Sequence, residues 1–151
     1  MGTEVKFWNA FKFKLEIDGF ARAGFQKVDG LEQGVEIIQH EESDMIRPDK
    51  SPGKFSAEDL TLEFGATDDM GAWNWFKKVV DAASGKLGVE PTDYKKDIAI
   101  VELDGAGSEL KRWNVFGAFP FKFSPGSFDA SSNEKRIRKL QLAYDYFEPV
   151  G

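Results

Sequence analysis

The chain has 151 residues, 41% hydrophobic and 30% charged, the length and mixture of one domain with a single core. Its formal net charge of -6 argues against a phosphate-binding surface, and the absence of cysteine excludes disulfides, thiolate metal sites and cysteine nucleophiles. No window approaches the ~18 consecutive apolar residues of a membrane span, and lysines interrupt the opening MGTEVKFWNAFKFK, so neither Sec export nor membrane insertion is expected.

Residues 1–10 read as an N-terminal arm. From Phe11 to Asp18 apolar and charged residues alternate without a fault, the pattern of a half-buried strand with one wet face, and Gly19 follows as the turn. Phe25 to Val28 forms a second strand, ended by Asp29-Gly30. Val35 to His40 forms a third, leading into the acidic run Glu41, Glu42, Ser43, Asp44. Between Met45 and Phe55 the chain places Pro48, Pro52 and Gly53 among charged residues, which predicts a mobile loop or hairpin tip, before Leu60 to Phe64 resumes an extended run.

One helix is predicted from about Asp69 to Ala83, capped by Thr67 or Asp68 and ended at Gly85. Trp73, Phe76 and Val80, with Ala72 and Ala83, share one face at helical spacing, so this face is expected on the sheet and Trp75 off it. The polar stretch 86–96, with Gly88 and Pro91, reads as a surface loop. Ile98 to Leu103 reads as a strand apolar on both faces, as if the helix covered it. A turn at Asp104-Gly105-Ala106-Gly107 leads to Leu110 to Phe116, then to a strand lined on one face by Phe119, Phe121 and Phe123 and broken at Ser124-Pro125-Gly126-Ser127. A last long strand spans Lys135 to Phe147. Leu140, Leu142, Tyr144 and Tyr146 share its inner face, which leaves Ile137 either at a bulge or against something outside the domain.

Few constellations point to chemistry. The single histidine, His40, sits beside Glu41 and Glu42, but neighbours on a strand face opposite ways, and His40 with Glu42 supplies at most two ligands where zinc takes three or four. The Gly-x-Gly of Gly105 and Gly107 leads into a strand, whereas a phosphate cradle opens a helix. Lys135, Arg136, Arg138 and Lys139 would split between two strand faces and do not form a DNA clamp. Four tryptophans and fourteen phenylalanines fit a core better than a ligand platform, because Trp73 and Phe76 fall on the helix stripe and Phe119, Phe121 and Phe123 on one strand face. Trp8 and Trp75 fit that pattern least and are expected against a neighbouring subunit. No catalytic, metal-binding or cofactor-binding residues are assigned.

Taken in order, several segments match a known family: Phe11 to Gly19, Gly24-Phe25-Gln26-Lys27-Val28-Asp29-Gly30-Leu31-Glu32, Leu60-Thr61-Leu62 and Trp73-Asn74-Trp75-Phe76. Arg112-Trp113-Asn114-Val115-Phe116-Gly117-Ala118-Phe119-Pro120 and Ser127-Phe128-Asp129-Ala130-Ser131-Ser132-Asn133-Glu134 complete the set. From Phe11 to Phe147 the chain resembles the tail-tube (inner tube) proteins of contractile-tailed phages and extracellular contractile injection systems.

The resemblance implies a mainly β (α+β) fold: a single tail-tube domain over 1–151, an antiparallel β-sandwich or barrel with one flanking helix and a long extended hairpin arm. It implies a structural, non-enzymatic subunit made in the bacterial cytoplasm. Six copies would close a ring, and rings would stack into a tube through which DNA or effector protein passes without specific binding. The implied partners are the tail sheath, baseplate or hub, and terminator proteins. Residues 45–55 would be the stacking loop, and Trp8, Met45, Ile46, Arg47, Lys50, Phe55, Trp75 and Ile137 the contacts between subunits or rings. Glu36, Glu42 and Asp44 would make an acidic lumen wall that repels DNA. The strand from Phe11 to Asp18, with no proline or inward charge, would pair its edge with a neighbour. The length of loop 86–96 leaves open a tube initiator or adaptor ring at the baseplate. The alternatives of other kinds are a monomeric β-barrel for a small ligand and a secreted carrier of the type VI kind.

Overall fold

The computed structural model describes residues 12–17, 25–44, 46–65, 70–126, 128–131 and 137–150. In chain order the elements are β1 (Lys12–Ile17), β2 (Phe25–Asp29), β3 (Gln33–His40), β4 (Asp49–Ala57), β5 (Leu60–Gly65), α1 (Gly71–Ala83), α2 (Pro91–Tyr94), β6 (Lys96–Leu103), β7 (Glu109–Ser124), β8 (Ile137–Ala143) and β9 (Tyr146–Val150). All strand pairs are antiparallel. Seven strands run in the order β1-β6-β7-β8-β5-β2, with β9 also on β7, and β3 and β4 form a separate hairpin.

The 16 residues of β7 join the two walls of this sandwich. Its first part pairs with β6 and β9 and its end pairs with β8. The change of direction comes at Phe116 and Gly117, where a bulge sets two residues of β7 against one of β6. Gly117 has φ 68° and its amide donates to Asp97 Oδ1 at 3.2 Å; a Cβ there would collide with the Asp145 carboxylate. Only glycine suits such a left-handed, crowded position. The sheet does not close into a barrel: among the described residues β1 and β2 each have one paired neighbour and stand as edges.

Alternation places the core. Leu60 faces Leu142 and Leu62 faces Leu140 across the β5–β8 ladder, and all four are fully buried. Ile17, Ile98, Ile100 and Val115 supply the opposite wall, and Ala72 and Trp75 of α1 complete the cluster.

Several expectations need correction. Of the two readings of 45–55 the hairpin holds and the mobile loop does not: residues 49–57 form its second strand, because Pro52 sits beside a register shift on a ladder edge, a place where its missing N–H is tolerated. The stretches 110–116 and 119–123 are one strand, since the Gly117 bulge bends the chain without ending it. The expected last strand is two, β8 on β5 and β7 and then β9 on β7, separated at Tyr144 and Asp145; Tyr146 is consequently exposed and stacks on Phe116. Phe119, Phe121 and Phe123 do not share a face: the ladder shifts register around Phe121, Phe119 meets Tyr94, and Phe123 meets Trp73 and Phe76. Loop 86–96 contains α2, a single turn closed by a Glu90/Asp93 capping box. The helix begins at Gly71, and its expected caps Thr67 and Asp68 lie outside the described residues.

The helix face is wider than expected: Ala72 is buried and Trp73 and Phe76 meet Phe123 of β7, but Trp75 is buried too. Trp75 is 2% exposed, and its indole Nε1 donates to the Tyr94 carbonyl at 2.5 Å, whereas Trp73 and Val80 are half open to solvent. The helix carries two adjacent apolar stripes, and α2 supplies the acceptor that lets the indole N–H be buried. Trp75 is therefore a core residue of its own domain and not a contact kept for a neighbour. The helix packs chiefly along β7. The second face of β6 is covered by charge instead: Val101 lies between Lys14 and Arg112 in the register, and Ala99 between Glu16 and Asn114. Aliphatic stems of such side chains bury apolar surface while their heads stay wet.

Candidate functional site

The surface that departs most from an ordinary monomer is built on the β3–β4 hairpin. Its ladder pairs Gln33 with Ala57, Val35 with Phe55, Ile37 with Pro52, Gln39 with Lys50 and His40 with Asp49. Directly opposed residues share a face, so Val35, Phe55, Ile37 and Pro52 make one apolar side that ends in Lys50. Glu36, Ile38, Ser51, Ser56, His40 and Asp49 make the other, mostly polar side. Between Val35 and Ile37 the register shifts, and Glu36 stands opposite Gly53 and Lys54. The Ile38 side chain lies over Gly53, with Cγ1 2.9 Å from where a Cβ would sit, so part of its apolar surface is covered within the hairpin.

Val35, Ile37 and Phe55 have no such cover, at 54%, 69% and 45% exposed, and every residue of β3 is exposed. A two-stranded ribbon alone is marginal in water, and exposed apolar surface of this kind marks an interaction site.

The root of the hairpin is fixed. The Tyr144 hydroxyl donates to the Glu32 carbonyl at 2.8 Å and accepts from the Glu32 amide at 3.1 Å. The Gln33 side chain donates to the Phe147 carbonyl and accepts from its amide, both at 3.1 Å, and the Glu58 amide donates to Glu32 O at 2.8 Å. Burial of Tyr144 raises its hydroxyl pKa, so the neutral donor form is kept.

Beside this root the two walls of the sandwich part into a groove of about 410 Å³. Phe13, Ile100, Trp113 and Phe147 line it from one wall, Val28 from the other and Leu31 from the connection after β2, with Glu102 at the same surface.

The edge strand β1 is pinned from its wet side. Arg112 grips Glu16 through two nitrogens, at 2.6 and 3.3 Å, and reaches Glu109 at 2.8 Å; Lys14 joins Glu16 at 3.4 Å. The fork of Arg112 holds the Glu16 carboxyl below the ordinary glutamate range.

The expected contact residues divide accordingly. Phe55 and Lys50 lie on the apolar side of the hairpin, Ile46 is 98% exposed near its tip, and Arg47 is exposed next to it. Ile137 is half exposed opposite Gly65 in a β8–β5 ladder without a register shift. Trp8 and Met45 lie outside the described residues. Of the expected acidic residues, Glu36 is on the polar side of β3, while Glu42 and Asp44 are exposed in the connection beyond it. Lys139 of the basic run pairs with Glu63 at 3.5 Å. Val35, Ile37 and Pro52 were not singled out from the sequence, although the Val-Glu-Ile alternation carried the signal for two of them. Among the described residues no group of three His, Cys, Asp or Glu is placed to hold a metal ion.

The sequence profile of the T4-like virus tail tube protein gp19 family matches residues 9–148. A chain of an extracellular contractile injection system, in the PVC sheath/tube terminator in its extended state, is similar with 27% identity and TM-score 0.79, over 99% of this chain and 100% of that one. A chain of the PVC sheath-tube complex has 28% identity and TM-score 0.74, over 92% and 88%. A chain of the anti-feeding prophage tube-terminating cap has 26% identity and TM-score 0.75, over 99% and 93%. The comparison with curated proteins gives no match.

Proposed function

The chain belongs to the T4-like virus tail tube protein family and is a structural subunit of the tube of a phage tail or contractile injection particle; from that premise we propose that six copies close into a ring and that rings stack inside a sheath. Sheath, terminator and baseplate proteins are its partners at the wall and ends of the tube. The observation that carries the reading is the hairpin, an ordered ribbon whose apolar side the described residues of its own chain leave uncovered. The open edges of β1 and β2 supply backbone donors and acceptors for pairing between copies.

In this arrangement the polar side of the hairpin, with Glu36, faces the lumen, and Glu42 and Asp44 add negative charge near its end. DNA or protein cargo then passes an acidic wall without sticking. Ile46, Arg47 and Ile137 contact the next subunit or ring. The subunit is made in the cytoplasm and has no enzymatic role.

A second reading is a single ring at one end of the tube, favoured by the end-to-end match to a chain of a sheath/tube terminator structure. Negative-stain electron microscopy across a concentration series tests both. Tubes with six-fold end views are expected; single rings that never stack would favour the terminal ring. A monodisperse monomer at every concentration would overturn self-assembly and favour a ligand-binding monomer.

A further inference from the structure

We propose that the apolar side of the β3–β4 hairpin of one copy seats in the groove between the two sheets of a neighbouring copy, with Lys50 of the hairpin meeting Glu102 at the groove. The proposal rests on the reading that copies of this chain assemble, and it names the receptor for the hairpin.

Three features carry it. The groove and the hairpin face are complementary in chemistry: Phe13, Val28, Leu31, Trp113 and Phe147 against Val35, Ile37, Pro52 and Phe55. A groove of about 410 Å³ takes a few apolar side chains. Within one chain the two do not meet, since Val35, Ile37 and Phe55 remain 45–69% exposed while Tyr144 and Gln33 fix the hairpin root to the sandwich.

The charges also match. Among the described residues Glu102 is the one charged group lining the groove, and it makes no ion pair with any of them. Lys111 stands opposite it in the ladder, but its ammonium lies 5.9 Å from the centre of the Trp113 ring. Lys50, at the far end of the apolar side of the hairpin, makes no ion pair among the described residues either. An apolar anchor with one cation at its end fits an apolar groove with one carboxylate at its surface.

The native chain has no cysteine, so introduced thiols report without background. Ile37→Cys and Val28→Cys, made separately in the full chain, are mixed and treated with oxidant or a short bis-maleimide, which tolerates imperfect disulfide geometry. A covalent heterodimer is expected, with little when Glu36→Cys, on the opposite face, replaces Ile37→Cys. In parallel, Lys50→Glu and Glu102→Lys are each expected to raise the concentration for half-assembly about ten-fold, and the double reversal to recover most of that. Rings without the Ile37–Val28 cross-link, equal cross-linking from Glu36→Cys, or a double reversal no better than the single ones would overturn the proposal while leaving the tube reading intact. A chain carrying both cysteines that closes only on itself, independently of concentration, would place the hairpin in its own groove and overturn it too. Absence of both rings and cross-links would remove the assembly reading as well.

Discussion

The β5–β8 ladder and the β3–β4 ladder use the same device, apolar residues at every second position, and end in opposite surroundings. In the first, Leu60, Leu62, Leu140 and Leu142 are wholly buried; in the second, Val35, Ile37 and Phe55 face solvent. The sandwich closes its core within one chain, by folding β7 across both walls and setting α1 against β7. The hairpin projects from that body on a hydrogen-bonded root, and the described residues of the chain leave its apolar side open. Stability and assembly are therefore expected to separate by region: changes in the sandwich alter unfolding, and changes in the hairpin alter association while leaving the monomer intact.

The sharpest test of that separation is Trp75→Ala. Removing a buried indole that also donates to Tyr94 is expected to destabilise the monomer by about 3–5 kcal/mol, read as a fall in denaturation midpoint. An unchanged midpoint with lost assembly would return Trp75 to the subunit interface.

Gly117→Ala should come next, at about 1–3 kcal/mol, because it forces a side chain into a left-handed bulge against Asp145. A smaller cost would mean that the corner between the walls relaxes freely.

Tyr144→Phe removes both bonds to the Glu32 backbone and should cost about 1–2 kcal/mol, with faster amide exchange at residues 32–35 as its local signature. The folded pKa of Tyr144 is raised, so its contribution is complete below the ordinary tyrosine value of about 10 and is lost as pH rises through the folded value. Alkaline titration of the wild type should therefore loosen the hairpin root, and the phenylalanine variant should lack that dependence.

Ile37→Ser is expected to change monomer stability by less than about 0.5 kcal/mol yet to reduce the assembled fraction in sedimentation. Equal losses of both would break the distinction between the regions.

Glu16→Gln should have the smallest effect, a small drop in melting temperature that fades in high salt. The Glu16 pKa is depressed in the fold, so its contribution is present above the ordinary glutamate value and disappears as pH falls through the folded one. A melting temperature independent of both salt and acid would remove Arg112 from the anchoring of β1.

The division between what the chain announces and what the fold decides follows the range of the forces. Period-two alternation in Phe11 to Asp18 and in Leu60 to Phe64, and a helix ending near Gly85, are local properties, and the elements lie where those patterns put them. The family was legible for a related reason: short segments such as Arg112 to Pro120 and Ser127 to Glu134 keep residue types in order. Local pattern could not say that Trp75, off the expected stripe of α1, is buried as well. That depends on the Tyr94 carbonyl, 19 residues away, receiving the Trp75 indole. Nor could it show that Gly117 continues a strand or that 49–57 pairs with 33–40, because a bulge and a ladder exist only relative to a partner strand. The groove and the clamp of Tyr144 on Glu32 join residues more than 100 positions apart in places. Sequence by itself determined the strand alphabet, the absence of cysteine chemistry and the structural family. Only the tertiary structure decided which apolar residues are satisfied inside the chain and which stay exposed, because burial is a property of the packed surface and not of the residue.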